Sequence, residues 1–69
     1  MRLSARNQLS GTVASVDVGS VMTIVKVDIG GGQQITASIT KDAAEDLGIT
    51  VGSPVAAVIK STEVMLGVE

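Results

Sequence analysis

Three consecutive glycines, Gly30 to Gly32, stand between two stretches of two-residue alternation, and no other feature of this sequence restricts the fold as much. In VMTIVKVDI, Val21, Thr23, Val25, Val27 and Ile29 alternate with Met22, Ile24, Lys26 and Asp28; in QITASI, Ile35, Ala37 and Ile39 alternate with Gln34, Thr36 and Ser38. Successive strand residues face opposite sides, so an apolar residue at every second position builds one dry face. β-Branched residues fill the odd positions of the first stretch, which suits a pleated surface. The pair reads as a β-hairpin closed at the glycine run. A glycine-rich run can also cradle phosphate, but that use requires a helix opening behind it, and here a strand follows.

The rest of the chain extends this pattern. LSGTVASVDV, residues 9 to 18, reads as a first strand with Gly11 as the place for a bend. Its apolar residues change parity along the way: Leu9 and Val13 share one, Val16 and Val18 the other. TKDAAEDLG, residues 40 to 48, carries the one helical signal, with Thr40 as N-cap, Asp42 in the first turn, Ala43, Ala44 and Leu47 at helical spacing and Gly48 to close the end. Pro54 suits a strand entrance, because inside a ladder its missing N–H would forfeit a bond. Val55 to Lys60 then alternates as a fourth strand, Ser61-Thr62-Glu63 reads as a turn, and Val64 to Val68 as a last short strand. Three strands, a short helix and two strands give an all-β plan, an OB-like five-stranded Greek-key barrel with its helix between strands three and four. An SH3-like small barrel is the alternative, less favoured because a helix is less expected at that position. No repeat or linker divides residues 1–69, so a single domain is expected.

Composition narrows the functions open to such a barrel. The chain has 69 residues and no Phe, Tyr, Trp or Cys, so its core must come from Val, Ile, Leu, Ala and Met without a disulfide staple. A domain this small is near the limit for a self-sufficient core, and oligomerisation would relieve that limit. A formal charge of −2 offers no basic face for nucleic acid, and the lack of aromatics removes stacking platforms for single strands. Without His or Cys the usual nucleophile–base pairs and common zinc ligands are missing, and the carboxylates fall in no acid/base spacing, so no enzymatic activity is expected. No apolar run reaches the roughly 18 to 20 residues of a membrane span, no signal pattern opens the sequence, and a cytoplasmic location is expected.

A small anion is a different matter, since it needs a few converging donors rather than global charge. Arg6 lies in SARN, residues 4 to 7; Lys60 precedes Ser61 and Thr62; and Thr40 opens the helix, whose first amides point outward unsatisfied. In a barrel of this order the first and fourth strands are neighbours, so the two cation-bearing segments can meet, within one chain or between two. Each group also has a plainer reading: SARN as a loose surface segment, Lys60 as a strand-end lysine with its ammonium in water, Thr40 as a helix cap alone.

SARNQLSGTV at 4 to 13, DIGGGQQITASIT at 28 to 40 and VAAVIKSTEVMLG at 55 to 67 closely resemble the Mop family, or molbindins, over nearly the whole chain. The resemblance implies an OB-like cytoplasmic protein that binds molybdate or tungstate for storage or buffering in molybdenum homeostasis. It implies a homo-oligomer, a hexamer built as a trimer of dimers, with oxyanion sites between subunits. The family's main site corresponds to Ser4, Ala5 through its backbone, Arg6, Lys60 and Ser61. Thr40 resembles a further ligand, and Gly19, Ser20 and Val21 are second-site candidates by position. The metal would be held only as its oxyanion, with no direct protein ligand and no organic cofactor. A molybdate-dependent regulatory module and a molybdopterin carrier are the alternatives; absent aromatics weaken the second, because a pterin ring would lack a stacking partner.

Overall fold

The computed structural model describes residues 1–69. Its elements are β1 (Asn7–Val18), β2 (Met22–Gly30), β3 (Gln33–Thr40), the helix α1 (Lys41–Asp46), β4 (Pro54–Ile59) and a single 3-10 turn at Ser61–Glu63. The four strands form one antiparallel sheet in the order β3-β2-β1-β4, curled into a half-barrel. No helix is long and apolar enough to cross a membrane.

The hairpin forms as the alternation predicts. Gly30, Gly31 and Gly32 all have positive φ (96°, 63° and 76°), and Gly30 pairs with Gln33, leaving Gly31-Gly32 as a two-residue loop. Positive φ at both central residues is what the tight turn between right-twisted strands demands, and it costs glycine nothing. Asp28 Oδ1 accepts the Gly30 N–H at 3.0 Å, stiffening the entry.

β1 joins the two halves of the sheet. Asn7 to Thr12 pair with β4, and Thr12 to Val18 pair with β2, so the strand passes from one neighbour to the other along its length. The register slips between Val13 and Ser15. One extra residue, Ala14, reverses the parity, and this explains the mixed pattern in the sequence: Val13 opposite Val27 and Val16 opposite Val25 both face inward. The bend expected at Gly11 is thus realised as a bulge three residues later. Gly11 serves instead as a point of close approach to β2.

Helix α1 is short and held by its ends. Thr40 Oγ1 accepts the Ala43 N–H at 3.0 Å, and Gly48, at φ 64°, donates to the Glu45 carbonyl while Ile49 donates to Ala44. These paired bonds satisfy carbonyls that the helix end would otherwise leave open. Ala44 is the residue it buries.

The interior is small. Val13, Val25, Val27, Ala44 and Thr23 are the 5 buried residues of 69. Ile35, Ala37 and Ile39 of β3 and Val55, Ala57 and Ile59 of β4 are only half-buried, because the sheet does not close between those two strands. A monomer of 6.9 kDa is expected to expose about 4000 Å²; this chain exposes 5351 Å².

The expected fifth strand is corrected. Val64 to Val68 makes no ladder, and the sheet has four strands. A strand is not an intrinsic property of a sequence; it needs a facing edge, and the 3-10 turn after β4 leads the segment away from both edges of its own sheet, leaving every residue exposed.

Candidate functional site

The β1–β4 ladder sets the two cation-bearing segments side by side. Asn7 and Ile59 are its last couple, so Arg6 steps off the end of β1 where Lys60 steps off the end of β4. Gln8 Nε2 donates to the Ala5 carbonyl at 3.0 Å, tying the segment to its strand. The Ala5 N–H donates to nothing within the chain. On the other side, the Glu63 N–H donates to the Lys60 carbonyl at 2.9 Å and the Val64 N–H to the Ser61 carbonyl at 3.4 Å. The turn thereby occupies carbonyl oxygens that would repel an anion. The side chains of Ser4, Arg6, Lys60 and Ser61 make no hydrogen bond within the chain.

This arrangement offers two cations, two hydroxyls and a backbone amide at one end of the sheet. Such donors suit a tetrahedral dianion, which needs N–H and O–H groups along its lone-pair directions and positive charge to offset lost hydration. Ala5 is half-buried and the other four are exposed, so a single chain forms one side of such a site, open to water on the other.

Thr40 lies elsewhere. It pairs with Met22 at the start of β2, beyond the far end of β1, where Val18 meets Thr23. Within one chain it cannot share an anion with Arg6 and Lys60, which leave the opposite ends of β1 and β4. Its neighbours are the second-site candidates: the Lys41 N–H donates to the Val21 carbonyl at 2.8 Å and the Gly19 N–H to Met22 at 2.8 Å, bringing the Gly19-Ser20-Val21 turn against the helix start. Lys41 was not among the expected donors; its signal was a cation directly after a capping threonine. Because Thr40 Oγ1 accepts from Ala43, its own hydroxyl proton stays uncommitted, so capping and donating to an anion are compatible.

Replacing Thr40 by alanine should cost about 1 kcal/mol through the lost cap. In thermal denaturation the midpoint should fall by about 4–8 °C, and serine at this position should restore most of it.

A half-barrel of this order has known counterparts. The family model for the TOBE domain matches residues 3–66. The chain belongs to the Mop family of TOBE domains. It is 48% identical over 69 residues, the full length of both, to a protein from Haemophilus influenzae described as a probable molybdenum-pterin-binding protein. MopII from Clostridium pasteurianum, solved in an apo form, superposes with a TM-score of 0.91 at 43% identity, covering 97% of this chain and 100% of MopII. ModG, described as a cytoplasmic molybdate-binding protein and solved with molybdate bound, superposes with a TM-score of 0.94 at 45% identity. That match covers 100% of this TOBE domain and 49% of ModG, so the chain spans about half of that protein.

Proposed function

We propose that this TOBE domain binds molybdate or tungstate and serves in storing or buffering the oxyanion in the cytoplasm, without catalysis. The observation that carries this reading is the meeting of Arg6 and Lys60 at the end of the β1–β4 ladder, beside Ser4, Ser61 and the undonated Ala5 N–H. Molybdate and tungstate are tetrahedral dianions of nearly equal size, so these donors treat them alike. Sulfate carries the same charge and shape, and only a cavity of fixed size separates it from them.

A cavity of fixed size requires the open side to be closed. The reading therefore includes a homo-oligomer, a hexamer formed as a trimer of dimers, in which a neighbour covers the Arg6–Lys60 shelf. Support comes from the surface: the chain exposes about 1300 Å² more than a monomer of its mass should, and a standard interface takes about 800 Å² from each partner. Thr40, with Gly19, Ser20 and Val21, then forms a second donor cluster at the other end of each chain.

The pterin in the relative's name raises a carrier role. A pterin ring needs an aromatic platform, and this chain has none. A molybdate-dependent regulatory module is the other reading; it would require a protein partner whose binding follows the oxyanion.

Native mass spectrometry with molybdate tests the proposal, because it reads subunit number and bound mass together. Hexamers carrying molybdate masses are the expected result. Monomers with nothing bound at saturating molybdate would reject it.

A further inference from the structure

We propose that Gln8 is a positioning residue for the oxyanion site: its amide fixes the Ala5–Arg6 peptide so that the Arg6 N–H is turned away from Gln8 and left free for the anion. This rests on the oxyanion reading, which names Ser4, Ala5 and Arg6 as donors without saying what holds them. Residues 1–6 precede β1 and belong to no element, and none of their backbone groups bonds to another backbone group. The one hydrogen bond that ties them to the rest of the chain is Gln8 Nε2 donating to the Ala5 carbonyl at 3.0 Å. Three proposed donors therefore depend on a single side-chain amide.

The geometry of the peptide unit turns that bond into an orientation. No peptide bond in the chain is cis, and across a trans plane the C=O and N–H of one peptide point in opposite directions. Because Gln8 holds the Ala5 carbonyl to itself, the N–H of the same peptide, that of Arg6, points the other way. It makes no hydrogen bond within the chain. The same bond engages a carbonyl oxygen whose negative end would repel an anion, as the 3-10 turn does for the Lys60 and Ser61 carbonyls on the other side. Both segments of the shelf thus have their acceptors tied and their donors free.

Gln8 is placed to act as an anchor. It pairs with Val58 one step inside the Asn7–Ile59 end of the ladder, so its backbone belongs to the sheet while its side chain reaches back three residues onto the segment. Glutamine also has the right chemistry: its amide donates without charge, whereas an ionised glutamate only accepts. Ordering a free segment costs conformational entropy at the moment of binding, and a tie made beforehand lowers that cost. The bond itself is exposed, and its loss should fall on the ligand more than on the fold.

Gln8→Met keeps an unbranched side chain of similar length and removes the donor. Titration calorimetry with molybdate should show affinity about threefold to tenfold lower, the range for one neutral hydrogen bond, with the ligand-free thermal midpoint unchanged. Amide NMR of the full chain supplies the readout that a merely structural bond would not move. Saturating molybdate should shift the Arg6 amide proton of the wild type, and in Gln8→Met that shift should fall by about half or more while the Ser61 amide shift persists. Gln8→Lys, whose ammonium can donate to the same carbonyl, should restore the Arg6 shift. A full Arg6 shift with wild-type affinity in Gln8→Met, or a reduced shift that Gln8→Lys does not restore, overturns the proposal. If Lys60→Ala weakens binding while Gln8→Met does not, Gln8 loses its role and the oxyanion reading stands. A wild type that takes up no molybdate overturns both.

Discussion

Replacing Lys60 by alanine is expected to weaken molybdate binding about tenfold to a hundredfold, the range for loss of one hydrogen bond to a charged group. Lys60 is exposed, its ammonium makes no hydrogen bond within the chain, and its carbonyl is already engaged by the 3-10 turn. Its removal should therefore leave the fold intact and fall on the ligand. Titration calorimetry of wild type and variant at one ionic strength measures this, with sulfate as competitor. Arg6→Ala distinguishes two roles for the guanidinium: a loss comparable to that of Lys60→Ala places it on the anion, and a small loss makes it a support for the segment. Lys60→Arg should recover charge but not full affinity, because a planar fork presents its donors differently from an ammonium. Unchanged affinity in Lys60→Ala would remove the residue from the site.

The largest effect on stability is expected at Gly11. A Cβ there would lie 2.6 Å from the Asp28 carbonyl oxygen, 2.7 Å from Val27 Cγ1 and 3.2 Å from Ile29 Cγ2. The first contact is with backbone, which cannot turn aside as a side chain can, and Asp28 pairs with Thr12, the residue at which β1 passes from β4 to β2. Gly11→Ala should cost about 2–3 kcal/mol by overpacking and lower the thermal midpoint by about 10–20 °C. Both proteins should be melted at the same concentration without molybdate, since association and ligand each raise the midpoint. An unchanged midpoint would mean that the strands separate freely at this point.

Hairpin and helix were legible because their signals are local. Alternation, turn glycines and caps act over a few residues, and Gly31-Gly32, Thr40 and Gly48 do what their chemistry predicts. The bulge at Ala14 left its trace as a change of parity, but that trace could be read as a slip only once Val16 was seen opposite Val25. Val64–Val68 misled for a related reason: its apolar alternation is genuine strand character, yet pairing depends on an edge that alternation does not specify. Arg6 and Lys60, fifty-odd positions apart, could be joined only by the strand order and by resemblance to a family.

The order and type of the elements through β4, the absence of His, Cys and aromatic side chains and the resemblance to the Mop family follow from the sequence by itself. These depend on residue chemistry and short-range periodicity, which linear order preserves. Tertiary structure alone decided that Arg6 and Lys60 leave the same end of the sheet, that Thr40 stands at the other, and that β3 and β4 each keep one free edge. Those are matters of register and closure. A ladder brings together residues far apart in the chain, and whether a barrel shuts depends on which edges find a partner.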